Sequence, residues 1–362
     1  MVVEQDFWRG RRVLVTGHTG FKGAWLALWL ESLGAEVHGL ALAPATSPNL
    51  FDLVTPRMAS TLGDLRDPAV SRAVVAEAGP EIVFHLAARA LVRPSYAAPL
   101  ETFETNVMGT ANLLDALRDA PALKAIVVVT SDKTYRNDGG GTPFREADPL
   151  GGDDPYSASK ACQEMVAAAY AKSFFQAAGV RLVSARAGNV IGGGDWSADR
   201  LVPDFMRATA KGEPLALRYP DAIRPWQHVL EPLAGYLAYG KALLGGADLP
   251  DALNFAPDPA DARPVGWVAD RLVEAWNGNG NGNGNGNEKG GDGASWSHQK
   301  GEHLHEAGPL FLDGSLAKKT LGIEPRLPLA EALAMTVAWY RAHAGGRDMR
   351  KHSLAEIGRY ER

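Results

Sequence analysis

The chain has one cysteine, Cys162, in 362 residues. An internal disulfide is thereby excluded, and a reducing compartment, the cytoplasm, is expected. Cys162 lies in a helical pattern between Ala161 and Gln163 and reads as packing rather than as a nucleophile. Long apolar runs are also missing. Residues 24–30 form the longest one near the amino terminus, too short to cross a bilayer, so no membrane partner is expected. The opening Met-Val-Val-Glu-Gln-Asp has neither the basic nor the apolar region of a secretory signal. An excess of positive charge is absent too. With 37 Lys and Arg against 42 Asp and Glu, the net charge is -5, which argues against a nucleic-acid surface. A bound anion must then be held by local charges and backbone amides. No metal is expected, because no Cys or carboxylate set completes a site around His298, His303 and His305.

The first half alternates short Val/Ile/Leu runs, at 13–16, 37–42, 82–87, 126–130 and 182–185, with helical patterns at 22–33, 69–78, 102–117 and 156–178. Continuous apolar strands between helices predict a parallel sheet covered on both faces, the doubly wound α/β (Rossmann) arrangement. After residue 188 glycine and proline become frequent and helices shorten. Residues 1–188 therefore read as the dinucleotide-binding domain, with later returns of the chain to it. Residues 189–345 read as a smaller mixed α/β substrate domain. An Asn-Gly tract at 277–293 reads as a flexible loop, and the charged residues 346–362 as a frayed helix or loose tail.

The first strand runs into Gly17-His18-Thr19-Gly20-Phe21-Lys22-Gly23, and a helix follows. Glycines spaced this way allow a tight turn and a close backbone approach, and the helix amides favour a pyrophosphate. The acidic residue that would hold an adenosine ribose about 20 residues on is missing, and so is an arginine for a 2′-phosphate. NAD is favoured over NADP. Asp64, beside Leu65, reads equally as a ligand of the adenine amino group or as a turn or cap residue. Tyr156 and Lys160 are four apart behind Pro155, on one helix face. An ammonium beside a phenol stabilises the phenolate, which can take a proton from a sugar hydroxyl.

Together these features resemble the extended short-chain dehydrogenase/reductase family, in its sugar-nucleotide branch. The resemblance covers about residues 7–340 and rests on the Gly17/Gly20/Gly23 turn, His85-Leu86-Ala87-Ala88, Asn106, Thr130-Ser131-Asp132 and Tyr156/Lys160. Two longer runs, 186–196 and 223–229, with Ser131-Asp132-Lys133, resemble the 4,6-dehydratases of that branch that take CDP-glucose. The resemblance implies a lyase for CDP-glucose or a related nucleotide sugar, with NAD as cofactor. It implies cofactor contacts from Gly17, Thr19, Gly20, Phe21, Lys22, Gly23, Asp64, Leu65, Leu86, Ala87, Ala88, Asn106, Thr130, Tyr156 and Lys160. Helices 102–117 and 156–178 would pair with a second copy, giving a homodimer or homotetramer.

A 4,6-dehydration oxidises C4, removes the then acidic C5 proton and expels the C6 hydroxyl. Tyr156 is the expected base at C4, with Ser131 orienting that hydroxyl. Lys133, or a group it orients, takes the C5 proton, and Asp132 protonates the leaving oxygen. The bland alternative for Asp132-Lys133 is a solvated ion pair. Asn189, Arg200 and Arg224 are the candidates for holding the diphosphate, Arg224 foremost, because Pro225 and Trp226 predict a structured turn. His228 reads as a packed core histidine. A 4-epimerase, a dehydratase of another nucleotide sugar, and a dinucleotide-sensing scaffold without turnover are the competing readings.

Overall fold

The computed structural model describes residues 4–278, 293–301, 308 and 310–362. Six strands come first: β1 (Arg12–Thr16), β2 (Glu36–Ala41), β3 (Ala59–Leu62), β4 (Ile82–His85), β5 (Ala125–Val129) and β6 (Arg181–Ala187). Six more follow: β7 (Asn189–Ile191), β8 (Leu215–Leu217), β9 (Ile223–His228), β10 (Ala252–Phe255), β11 (Ala262–Pro264) and β12 (Trp296–His298). The large sheet is parallel, in the order β10-β6-β5-β4-β1-β2-β3. The chain returns late to supply β10 at its edge. Strands β11, β9 and β7 form a second sheet, and β12 pairs with β8.

Alternating side chains bury the large sheet on both faces. Val13, Val15, Phe84 and Val127 join one core cluster, while Leu14, Val83, Ile126 and Val128 join the other. Two wet faces are therefore impossible, and the strands read as continuous apolar runs. The strand order reverses between β1 and β4, whose last residues Thr16 and His85 are register partners. A crevice opens at the carboxyl ends of the strands at such a switch point.

The helix Phe21–Ser32 is apolar all round, and residues 23–30 are all buried. It is enclosed by the sheet on one side and carboxyl-terminal elements on the other. Trp25 donates to the Gly193 carbonyl at 2.9 Å and Trp29 to Glu361 at 2.7 Å. The last segment, expected as a frayed helix or a loose tail, is a helix packed onto the molecule. Asp348 caps a helix, Met349–Tyr360, whose Met349, Ser353, Glu356, Ile357 and Tyr360 are buried. Arg350 pairs with Glu31 on the enclosed helix, at 2.5 Å. The expected helix 102–117 is also broken, into Pro99–Phe103, a π turn at Glu104–Met108 and Gly109–Leu117. The expected helix 156–178 runs from Pro155 to Tyr170 and then passes into a π turn, Ala171–Phe175. Most of the Asn-Gly tract, 279–292, lies outside the described residues. No helix among the described residues is long and apolar enough to cross a membrane.

Candidate active site

The glycine turn is built by contacts that exclude larger residues. Gly17 has φ +76°, and a Cβ there would lie 2.7 Å from the Ala87 nitrogen. A Cβ on Gly23 would lie 2.1 Å from the Gly17 carbonyl oxygen. A Cβ on Gly20 would meet only the Gly17 oxygen, at 3.3 Å, so the backbone there is open to a ligand. Gly20 caps the enclosed helix without a side-chain hydrogen bond, leaving its first amides free to face an anion. The cradle fits a pyrophosphate. Leu86, Ala87 and Ala88, half-buried after β4, wall it on one side. Thr19 turns its hydroxyl onto the Leu42 carbonyl, at 2.8 Å, so that hydroxyl serves the turn itself.

Asp64 forms a turn with Arg66 after β3. Its Oδ1 accepts from the Arg66 amide at 2.9 Å and its Oδ2 from the Arg66 guanidinium at 2.6 Å. Those bonds hold the carboxyl below its usual range. Leu65 is buried and packs near Gly109. Asn106 sits fully buried in the π turn, a distortion frequent at functional sites. It accepts from the Arg89 amide at 2.8 Å and donates to Ser159 at 2.8 Å, fixing the loop after β4 to the tyrosine helix.

That helix, Pro155–Tyr170, starts from Asp154, which accepts from the Tyr156 and Ser157 amides. Tyr156 and Lys160 are both buried. Burial raises the Tyr156 phenol, and a hydrogen bond with Ser131 and the charge of Lys133 act against it. Burial lowers Lys160 to about 7, with Lys22 adding repulsion and Glu164 opposing it. Lys22, half-buried, is lowered to about 8 by burial and then by Arg200. Asp132 and Lys133 also act on Lys22, so the glycine turn faces the end of β5.

The end of β5 carries the remaining groups. Ser131 caps a short turn, Asp132–Thr134. Its hydroxyl lies 2.8 Å from Asp132 Oδ1, and Lys133 Nζ donates to the same oxygen at 3.2 Å. Asp132 is 1% exposed, while its Lys133 partner is half-buried. Gly188 makes room for it: a Cβ there would lie 3.2 Å from Asp132 Oδ2. Thr130 is turned away, donating its hydroxyl to Glu164 beneath the site. Glu164 also grips Arg186 through two bonds, at 2.8 and 3.0 Å.

Of the substrate candidates, Asn189 leaves its Nδ2 buried with no partner, an unmet donor of the kind a ligand satisfies. Arg200 pairs with the buried Asp195 at 3.2 Å and contributes its charge at Tyr156 and Lys22. Arg224 is on strand β9, not in a turn, because the 223–228 segment pairs with both β7 and β11. Its guanidinium donates to the Ile223 carbonyl at 2.8 Å. His228 is fully buried, and burial lowers it to about 3. Among the described residues no cluster of three or more His, Cys, Asp or Glu is placed to hold a metal; His303 and His305 fall outside them. Sequence reasoning passed over Gln163, whose amide touches Lys160.

A glycine cradle at the switch point, with a tyrosine and a lysine on a helix beside it, defines a dinucleotide-dependent enzyme of the short-chain type. The chain belongs to the NAD dependent epimerase/dehydratase family, whose model matches residues 13–243. It is 47% identical over 367 residues to the CDP-glucose 4,6-dehydratase of Salmonella typhimurium, covering 99% of this chain and 98% of that protein. It is 30% identical to a dTDP-glucose 4,6-dehydratase of Streptomyces griseus, over 91% of this chain and 94% of that one. A dTDP-glucose 4,6-dehydratase structure from Streptomyces venezuelae, with NAD and TYD bound, superposes with a TM-score of 0.73 at 26% identity, covering 93% of this chain and 98% of that one.

Proposed function

We propose that the chain converts CDP-D-glucose to CDP-4-dehydro-6-deoxy-D-glucose and water. The observation that carries this reading is the Ser131-Asp132-Lys133 cluster, set around Tyr156 and facing Lys22 of the glycine turn. The 47% relative supports CDP-glucose as the substrate. NAD, when bound, supplies a reversible oxidant, so the reaction ends with no net redox change. Gly17, Gly20 and Gly23 would hold its pyrophosphate, with Lys22, Leu86, Ala87 and Ala88 around it.

Tyr156 takes the proton of the C4 hydroxyl, which Ser131 orients. With a ketone at C4, Lys133 takes the C5 proton and Asp132 gives its proton to the departing C6 hydroxyl, which leaves as water. As C6 is then reduced to the methyl group, Lys133 gives its proton back to C5, and the proton that Tyr156 took from the C4 hydroxyl restores Asp132, so all three groups end as they began. Asn189, Arg200 and Arg224 are assigned to the diphosphate.

The chain divides after residue 188 into a dinucleotide domain and a substrate domain, with β10 returning to the first. It works as a homodimer or homotetramer in the cytoplasm. Leu100, Met108, Met165 and Phe174, exposed on the helical face around the tyrosine helix, support the pairing. Incubation with CDP-, dTDP-, UDP- and GDP-linked glucose tests the substrate. Alkali-induced absorbance of a 4-keto-6-deoxy sugar is expected from CDP-glucose above the others. A product altered only in C4 configuration would point to an epimerase instead.

A further inference from the structure

Gln163 has no part in the chemistry described so far. It lies one turn beyond Lys160 on the tyrosine helix and is fully buried. Its Oε1 accepts from Lys160 Nζ at 2.8 Å, and its Nε2 donates to Thr110 Oγ1 at 2.9 Å. Thr110 gives its single hydroxyl proton to the Asn106 carbonyl, at 2.7 Å. It must therefore accept from His85 Nε2, at 2.8 Å. His85 then carries its proton on Nε2, and its Nδ1 accepts from the Thr16 hydroxyl at 2.7 Å. Thr16 accepts in turn from the Ala87 amide at 3.2 Å.

Every proton along this chain has one place. His85 is fully buried and lowered to about 3, by burial and then by Lys160, so it stays neutral throughout the working range. Gln163 cannot turn over. A reversed amide would set its NH2 group against the lysine and its oxygen against a threonine whose proton is already donated. We propose, resting on the reaction above, that Gln163 is a positioning residue whose oriented carbonyl keeps the Lys160 amine protonated while Tyr156 is ionised. The chain Thr16–His85–Thr110 holds that carbonyl in place.

Few groups favour the ammonium. Lys160 faces Lys22 from the glycine-turn helix, neutral His85 from β4 and Glu164 from its own helix, on which Tyr156 lies four residues earlier. Its acceptors are the Gln163 oxygen and the Val129 carbonyl, at 3.3 Å. Tyr156 faces Ser131, Asp132 and Lys133 from the end of β5, Arg200, and Tyr236. The reactive form pairs a Tyr156 phenolate with a Lys160 ammonium. Its share rises with pH and levels off once the lysine loses its own proton, at a height set by the ratio of the two acid constants. A weaker hold on the ammonium therefore moves the limb to lower pH and lowers the plateau by the matching factor.

Gln163→Leu should shift the rising limb of the kcat–pH profile about one unit toward acid and cost about tenfold at the plateau. Gln163→Glu should move the limb toward alkali. The Lys160 Cε chemical shift, followed by NMR in lysine-labelled protein without substrate, should titrate in the same two directions. A plateau that falls while the limb and the Lys160 titration stay fixed would reduce Gln163 to packing and overturn the inference. If the wild type fails to turn over CDP-glucose, the reaction assigned above falls, and the Lys160 titration alone decides the role of Gln163.

Discussion

Replacing Glu164 by leucine should destabilise the protein strongly and weaken the active site at the same time. The Glu164 carboxylate is 4% exposed and its Arg186 partner 5%, with both guanidinium contacts at 3.0 Å or less. Removing one member of such a pair leaves a buried charge without its counter-ion, which costs about 3–5 kcal/mol. Arg186 keeps the Tyr135 hydroxyl at 2.6 Å and the Glu146 carbonyl at 3.0 Å as acceptors, which places the loss near the lower end. The Thr130 hydroxyl also loses its acceptor. Urea unfolding at pH 7.5, followed by tryptophan fluorescence, measures the loss. Glu164 favours the charged form of Lys160 as well, so the Lys160 titration should move to lower pH in the same variant. A change in unfolding free energy below about 1 kcal/mol would refute the claim that this pair underpins the strand end, since an exposed pair contributes about that much.

Gly23→Ala and Gly20→Ala should separate folding from cofactor binding. The first forces a Cβ to within 2.1 Å of a backbone oxygen and should cost about 1–3 kcal/mol of stability, read by thermal melting without cofactor. The second meets only one atom at 3.3 Å and should leave the melt near that of the wild type while NAD affinity falls. Stability should also decline as pH falls below 6.5, because His18, His85 and His228 are lowered to about 4, 3 and 3. Below 6.5 the unfolded chain takes up protons that the folded one refuses, at about 1.4 kcal/mol per pH unit for each histidine. Denaturant midpoints between pH 7.5 and 5.5 would show it, and a flat profile would deny the burial of these rings. Tyr156→Phe should abolish turnover while NAD still quenches tryptophan fluorescence.

Much of this arrangement was legible in the sequence for simple reasons. Strands buried on both faces must be apolar without alternation, so β1, β4, β5 and β6 stood out. The glycines and the Tyr156/Lys160 spacing answer to local geometry alone. What escaped depends on distant partners. In the carboxyl-terminal helix, Ser353 and Glu356 occupy buried positions and dilute the apolar stripe; the helix is held by Trp29 and Glu31 from the other end of the chain. The Arg224 segment read as a turn because proline disfavours strands, yet Pro225 pairs with Ala262 in a small sheet that no local pattern announces. The π turn at Asn106 keeps helical spacing, so only the structure reveals it. Gln163 did carry a signal, since a position three beyond a lysine on a helix shares its face.

CDP-glucose deuterated at C4 provides the most direct measurement. If oxidation at C4 and elimination across C5 and C6 occur at the site of Tyr156, Asp132 and Lys133, the product is a 4-keto-6-deoxy sugar carrying the deuterium in its C6 methyl group. NMR that finds the deuterium still at C4, in recovered glucose or its C4 epimer, contradicts it.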